Sequence, residues 1–372
     1  MLALSIAAAL CALIPATMFC LNLLEYRTPP PSETCESITL IFPVRNEAAG
    51  ITSALKHALA TTHTTLEIIV LDDHSTDNTA QIVQTLALTH NQIRLIPSAP
   101  LPTDWNGKQH ACWQGAQHAT HDLLCFVDAD VRLSPESLPR MAAFLQQTKA
   151  ELVSGFPLQQ TLTPLEYLLL PLIHFILLGL LPMRQMARST SVAYAAGCGQ
   201  FLLCRRPSYF ATGGHSAIRQ TMHDGLLLPR LFRQHGHLTR LADLTNLATC
   251  RMYTNTRDTW NGLSKNATEG MATPALLRPL TLLFALGQIF PLPLLAASLY
   301  KHNTAATILS ATALALSYLP RILGVLRFRH SIKGALLHPL GIGTLLALQW
   351  TALIQKARGK TATWKNRTYP AN

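Results

Sequence analysis

Charge is scarce in this 372-residue chain: 13% of residues are Asp, Glu, Lys or Arg, against 49% hydrophobic ones, and the mean hydropathy is +0.21. That is apolar for a soluble enzyme. The eight cysteines show no C-x-x-C spacing, which argues against a zinc site or a disulfide framework and fits reduced thiols in a cytosol-facing domain. No run interleaves aromatic with basic residues, so the net charge of +11 does not point to nucleic acid. The fifteen histidines are scattered, and His235 and His237 suit a solvated face.

The shortage of charge is local. Charge-free runs cover 1–24, 279–300, 302–320 and 334–355, with Pro291 and Pro293 interrupting the second. A bilayer core needs about 20 apolar helical residues, so each run is long enough to span and a multi-pass membrane protein is expected. The first run lacks a basic start and is longer than a signal-peptide core, which favours an uncleaved anchor. Arg327, Arg329, Lys333, Lys356, Arg358, Lys360, Lys365 and Arg367 lie beside these runs, where anionic headgroups and the positive-inside rule select basic residues. With the folded domain in the cytoplasm, three C-terminal spans place Arg321 to Lys333 inside but the basic tail outside. One segment is then re-entrant, or 161–183 also spans, or the tail breaks the rule. Residues 161–183 read as a short span, a core helix or a helix lying in the interface; the interface is favoured because its flanks must share one domain.

Between the anchors the pattern alternates. After the linker Thr28–Ser32, strands are expected at 37–44, 66–73, 92–98 and 122–130, with helices at 46–60, 75–89 and 107–120. That spacing implies α/β architecture, a mostly parallel sheet with helices on both faces. Ligands of such sheets sit at the carboxyl ends of the strands, where Asp72, Asp73, Asp128 and Asp130 fall.

Two strand-end carboxylates repel, and burying them is costly without a positive partner. Asp128-Ala129-Asp130 therefore reads either as a solvated pair before Ser134-Pro135-Glu136 or as a ligand pair for a hard cation, Mg²⁺ or Mn²⁺, completed by substrate phosphates. Asp72 and Asp73 suit a helix-capping loop, or hydrogen bonds to a base and ribose. Asp224, before an apolar helical stretch, is either an N-cap or a general base whose pKa apolar walls and other acids would raise.

IFPVRNE (41–47), VLDDHSTDNT (70–79), the run Trp105-Asn106-Gly107-Lys108, FVDAD (126–130), AAGCGQFLLCRR (195–206), GGH (213–215) and HDG (223–225) occur in one order. In that order the chain, over about residues 36 to 270, resembles family 2 glycosyltransferases of the GT-A fold. It looks most like their membrane-bound branch that glycosylates lipids, such as the carotenoid- and hopanoid-associated enzymes. The resemblance implies an anchor at 1–24, a linker at 25–36, a nucleotide-sugar-binding half at 37–160, an acceptor and catalytic half at 184–275, about three spanning helices at 276–355 and a basic tail at 356–372. It implies that Pro43, Arg45 and Glu47 border the nucleotide, that Asp72 and Asp73 hold uracil and ribose, and that Lys108 reaches toward the nucleotide or its phosphates. Asp128 and Asp130 would bind Mg²⁺ or Mn²⁺ with the diphosphate. Gly197, Gly199 and Gln200 would let the backbone approach the sugar, and Asp224 would deprotonate the acceptor. Arg251 and Lys265 would neutralise the leaving diphosphate, or else be ordinary surface or headgroup-binding charge.

Two positions depart from that pattern. His223 stands before Asp224 where the family commonly has an acidic residue, and RMYTNTRDTWNGLSKN (251–266) replaces the Q-x-x-R-W motif of processive synthases. The expected reaction is inverting transfer from a nucleotide-diphosphate sugar, UDP-linked by this reading, to a hydroxyl or carboxyl of a membrane lipid in a bacterial inner membrane. The rivals are a polyprenyl-phosphate glycosyltransferase, a nucleotidyltransferase and a non-catalytic membrane scaffold.

Overall fold

A computed structural model describes residues 1–33, 35–359, 362–364 and 367–369. Lys360 and Lys365 of the basic tail lie outside the described residues. The chain divides into two compact units: one comprises Tyr26–Leu158 and Arg184–Met252, the other Met1–Glu25, Gln159–Met183 and Tyr253–Asn372.

The first unit is built on an eight-stranded sheet. Its strands are β1 (Glu36–Val44), β2 (Thr64–Asp72), β3 (Ile93–Pro97), β4 (Leu123–Val127), β5 (Val131–Leu133), β6 (Leu152–Gln159), β7 (Phe201–Arg205) and β8 (Thr239–Cys250). In space they run β3-β2-β1-β4-β7-β6-β8-β5. Strands β1 to β4 pair in parallel, as the strand–helix alternation requires. The later strands join antiparallel, β7 against β4 and β6, and β8 against β5, so the sheet is mixed.

Alternation along each strand explains the two covered faces. Ile38, Leu40, Phe42 and Val44 of β1 share one core with Ile68 and Val70 of β2 and the helices Ile51–Leu59, Thr79–Ala87 and Ser137–Gln147. Ile41, Ile69, Leu71, Leu124 and Phe126 face the other way, onto helices Gly107–His118 and Asp224–Gln234. Helix starts fall later than the periodicity suggests, at Ile51 and Thr79, because side chains and turns occupy the residues after β1 and β2. The expected fourth strand, 122–130, ends at Val127; a turn holds Asp128 to Asp130 before β5 begins. The two carboxylates therefore project from a turn, and the alternation of a strand does not set their directions.

The proline linker is tied down: Arg140 Nε donates to the Pro29 carbonyl at 2.7 Å, and the Asp243 amide donates to the Arg27 carbonyl at 3.1 Å.

The second unit gathers three separate segments. The first two apolar runs behave differently: 1–24 forms one helix, Leu2–Asn22, whereas 279–300 falls in a pair, Pro274–Ile289 and Pro291–Tyr300, bent by 48°. Run 302–320 lies within helix Thr304–Phe328, and 334–355 within Ile332–Leu336 and His338–Ala357. By length and composition, two helices among the described residues, Leu2–Asn22 and Thr304–Phe328, can cross a membrane, or three with the bent pair as one span. Within the 161–183 segment, Pro164–Leu169 and Leu172–Leu180 are too short to span singly. Helix Thr256–Ala267 also belongs to this unit, which moves the sequence-based boundary at 275 back to 252/253.

First and last segments meet here over long sequence distances. Ser5 and Ser310 hydroxyls lie 3.0 Å apart, and Asn22 Nδ2 donates to the Leu178 and Leu181 carbonyls at 2.8 and 2.6 Å.

One buried acid staples the parallel strands. Glu67, opposite Thr39 in the β1–β2 register, accepts from Thr39 Oγ1 at 2.6 Å, from the Thr120 amide and hydroxyl at 2.9 Å each, and from Arg94 Nη1 at 2.5 Å. Burial alone would push its carboxyl up, but these donors outweigh it and hold it below the ordinary value. Its stabilisation is present above the unfolded carboxylate pKa of about 4.3 and disappears as pH falls through the lower folded value. Glu67→Ala leaves several donors unsatisfied and should cost about 3 kcal/mol in thermal unfolding of the purified chain. An unchanged Tm would show the staple to be idle.

Candidate active site

The carboxyl ends of β1, β2 and β4 and the start of helix Gly107–His118 converge on a cluster of charges. Asn106 caps that helix, its Oδ1 accepting the Lys108 amide at 3.0 Å. This capping turn positions the Lys108 side chain, whose Nζ lies 2.8 Å from Asp128 Oδ1 and 3.0 Å from Asp224 Oδ2, and donates to the Gly199 carbonyl at 3.2 Å. One ammonium thus bridges two carboxylates from distant parts of the chain.

Asp224 opens helix Asp224–Gln234 and is 5% exposed. Its Oδ1 accepts the Gly225 amide at 2.8 Å. Burial would push its carboxyl up; Lys108, then His215 and His223, outweigh that and hold it below the ordinary value. The sequence expectation of a raised pKa is therefore reversed, because its nearest charged neighbour is a cation. Burial likewise opposes Lys108, but Asp128 and Asp224 hold its ammonium well above the usual range.

Glycine permits this closeness. A Cβ on Gly199 would collide with Asp224 Oδ1, and one on Gly225 with the Gly199 amide nitrogen. Gly197 packs similarly against Gly225, where a Cβ would come within 2.6 Å of the carbonyl. Ser154 pins the 197–200 loop, accepting the Cys198 amide and donating to the Phe201 carbonyl, each at 2.8 Å. Gln200 is buried, with its Nε2 2.8 Å from Cys250 Sγ and its carbonyl accepting the Asp128 amide at 3.3 Å.

Asp130 sits differently from Asp128. Its Oδ1 is shielded from solvent and has no hydrogen-bond partner among the described residues. Burial, then the Asp128 charge, push its carboxyl up to about 7, with the Cys250 thiol opposing. Among the described residues no three His, Cys, Asp or Glu side chains converge on one point. The pair fits a cation whose remaining ligands are phosphate oxygens, and an orphaned buried carboxylate oxygen is what such an ion would satisfy.

The β1 and β2 ends are locked together. The Asp73 amide donates to the Val44 carbonyl at 2.8 Å, and Arg45 Nη1 to the Asp73 carbonyl at 2.6 Å. Asp72 caps its own turn, accepting the Ser75 amide at 3.3 Å, while the Glu47 amide donates to Thr79 Oγ1 at 2.8 Å. Asn46 and His74 adopt positive φ, 53° and 54°, in these loops. Pro43 lies in β1, paired opposite Leu71.

Of the sequence-predicted residues, Lys108, Asp128, Gly199 and Asp224 are in direct contact, and Asp130, Gly197 and Gln200 adjoin them. Arg251 follows Cys250 at the end of β8, close in sequence to the Asp130 surroundings. Lys265 lies on helix Thr256–Ala267 of the other unit. His215 was missed as a participant, although the GGH run marked it. It is fully buried, hydrogen-bonds Tyr209 through Nδ1 at 2.8 Å, and burial pushes its ring down to about 4, so it is neutral.

The site thus sets acidic residues at the ends of parallel strands beside a glycine-rich loop and a buried aspartate. Residues 39–209 match the model of "Glycosyl transferase family 2". The chain is 27% identical over 214 residues to 4,4'-diaponeurosporenoate glycosyltransferase of Staphylococcus haemolyticus, covering 57% of this chain and 56% of that protein. It is 26% identical over 246 residues to the protein of the same name from Staphylococcus aureus USA300, covering 64% and 62%. The match spans little more than half the length of these relatives. The solved mannosyltransferase PcManGT from Pyrobaculum calidifontis, in complex with GDP-Man and Mn²⁺, has a similar fold: TM-score 0.55, 19% identity, 95% of this chain and 96% of that one.

Removing the bridging cation tests this electrostatic arrangement. Lys108→Met strands two carboxylates and should lower stability by about 3 kcal/mol, read as a fall in Tm. Adding Asp224→Asn in the same chain should recover part of that loss. Additive losses would mean that Lys108 and Asp224 do not couple.

Proposed function

We propose that this protein is an inverting glycosyltransferase. It moves a sugar from a nucleoside-diphosphate donor, UDP-linked on our reading, to a hydroxyl or carboxyl of a membrane lipid. The observation that carries the reading is Lys108 bridged between Asp128 and buried Asp224, with Asp130 beside them holding an orphaned oxygen. The names of the curated relatives support a carotenoid-type acceptor and a bacterial setting, the two apolar helices support a membrane location, and the basic residues from Arg321 to Lys333 support a cytoplasmic side for the sheet unit.

On this reading Asp72 and Asp73 bind base and ribose, with Pro43, Arg45 and Glu47 at the nucleotide border. Asp128 and Asp130 hold Mg²⁺ or Mn²⁺, which when bound offsets the charge of the leaving diphosphate. The glycine loop Gly197 to Gln200 lines the sugar with backbone rather than side chains. Lys108 turns from Asp224 to the diphosphate as the donor enters. Asp224 then loses its cation and becomes the stronger base. The acceptor oxygen attacks the anomeric carbon, its proton passes to Asp224, and the bond to the diphosphate oxygen breaks on the opposite face, inverting the centre. Arg251 and Lys265 neutralise the departing diphosphate.

Membranes containing the wild-type chain, given a panel of radiolabelled nucleotide sugars, should transfer label to chloroform-extractable lipid. EDTA should abolish transfer, and Asp224→Asn should lower it by about 10³ if the acceptor is a hydroxyl. Transfer that persists in Asp224→Asn would identify an acceptor already anionic, a carboxylate or a polyprenyl phosphate, with no proton to lose. No transfer, with no UDP binding in Mn²⁺, would refute the assignment.

Asp130 adds a pH dependence. A carboxyl raised to about 7 must lose its proton before it can bind a cation. Apparent Mn²⁺ affinity, measured by calorimetry in the presence of UDP, should therefore fall by about tenfold per pH unit below about 7. An affinity flat from pH 5 to 8, on a scale of about one pKa unit per tenfold change, would remove Asp130 from the ligand set.

A further inference from the structure

The mechanism leaves two buried arginines unused, Arg233, whose guanidinium is hydrogen-bonded to backbone carbonyls and Thr239, and Arg321. Arg321 lies in the apolar helix Thr304–Phe328 and is 2% exposed, yet its Nε and Nη2 have no hydrogen-bond partner among the described residues. No acidic residue follows Glu269, while eleven Lys or Arg do. The unit's four acids are Glu25, Glu166, Asp258 and Glu269, and no ion pair joins any of them to Arg321 among the described residues. Glu166 is taken up capping its own helix, accepting the Leu162 and Thr163 amides at 2.8 and 3.2 Å. A charged side chain in a membrane helix is costly to retain without a counter-charge, which marks it as functional by default.

The surroundings supply more unused nitrogen. Gln288 Nε2 is also buried without a partner, and its Oε1 lies 3.0 Å from His338 Nε2. The charge of Arg321 reaches both His330 and His338. Burial, then His174 and Arg321, push His330 well below its ordinary value, so it is neutral and offers no counter-charge. Gly334 packs against the Tyr167 backbone, where a Cβ would collide with the carbonyl, and that same Cβ would lie 3.6 Å from Arg321 Nη2.

Along the helix that carries Arg321 runs an open, apolar groove of about 430 Å³, lined by Leu292, Leu295, Leu314, Tyr318 and Ile322 among others. Tyr318 is one helical turn before Arg321, and Ile322 is its neighbour. Nε and Nη2 form one edge of the guanidinium, two parallel donors that match two oxygens of a phosphate or carboxylate.

We propose that Arg321 clamps the headgroup phosphate of an anionic phospholipid whose acyl chain lies in the groove beside Tyr318 and Ile322. Phosphate enters through the Nε/Nη2 edge and supplies the missing counter-charge. The wholly basic composition beyond Glu269 complements an anionic lipid, and basic pockets between membrane helices commonly hold such headgroups.

The test uses the full chain in nanodiscs of phosphatidylcholine, with or without phosphatidylglycerol, and native mass spectrometry of the detergent-purified chain. Phosphatidylglycerol should raise the wild-type Tm and co-purify with it. Arg321→Met should lose the Tm rise and retain roughly tenfold less of this lipid, equivalent to about 1.4 kcal/mol of binding. Arg321→Lys should keep part of both, and the control Lys56→Gln, at an exposed site of the sheet unit, should match wild type. An equal Tm rise in Arg321→Met would overturn the proposal. So would an equal rise from inorganic phosphate in pure phosphatidylcholine, which would mark a free-anion site. Should Arg321→Met not fold, wild-type chain carrying only zwitterionic lipid would overturn it independently.

Discussion

Everything at the sheet's ligand edge depends on one ammonium standing between two carboxylates. Asp128 follows β4, Asp224 opens a helix about a hundred residues later, and Lys108 holds both within 3.0 Å. Without the lysine, burial would drive Asp224 toward its protonated form; with it, the carboxylate stays charged in a dry setting. The same contact makes the site responsive. An anion that drew Lys108 away would change the proton affinity of Asp224, and on the proposed mechanism this links donor binding to base strength through a single side chain.

Sterics make that contact available. Gly199 and Gly225 carry no Cβ where one would strike Asp224 or the facing backbone. Around them lie Cys112, Cys198 and Cys250, thiols that burial pushes above their ordinary range, to about 12 for Cys198. They are free and uncharged here, and serve as compact apolar walls rather than nucleophiles.

Much of this was legible because it is periodic or local. Apolar runs announced β1, β2 and β4, the last two running into aspartates, and the ordered motifs placed Lys108, Asp128, Gly199 and Asp224 in one set. What sequence could not supply was the sign of a field: Asp224 was read beside acids, and only three-dimensional proximity puts Lys108 next to it. The antiparallel half of the sheet was hidden because a segment of another unit separates β6 from β7, and a run of helices separates β7 from β8. Lys265 was grouped with the nucleotide site by motif position, yet its helix packs with the apolar unit. His215 and Arg321 carry no motif of their own beyond a GGH run and a single charge in an apolar stretch. Their importance lies in burial and in missing partners, which are properties of a folded chain.

The first helix has its lasting partners far downstream. Ser5 meets Ser310, and Asn22 waits for the carbonyls of Leu178 and Leu181. At synthesis rates of about 5–20 residues per second, roughly 15 to 60 seconds separate the emergence of Ser5 from that of Ser310. During that interval the whole sheet unit can fold on the ribosome, while the helix that precedes it has the Leu172–Leu180 segment as its early partner and Ser5 still lacks Ser310. The membrane unit is thus the last part of the molecule to be completed. A first helix of this length and composition would enter a bilayer on hydrophobicity alone, before most of the packing that defines its neighbours exists.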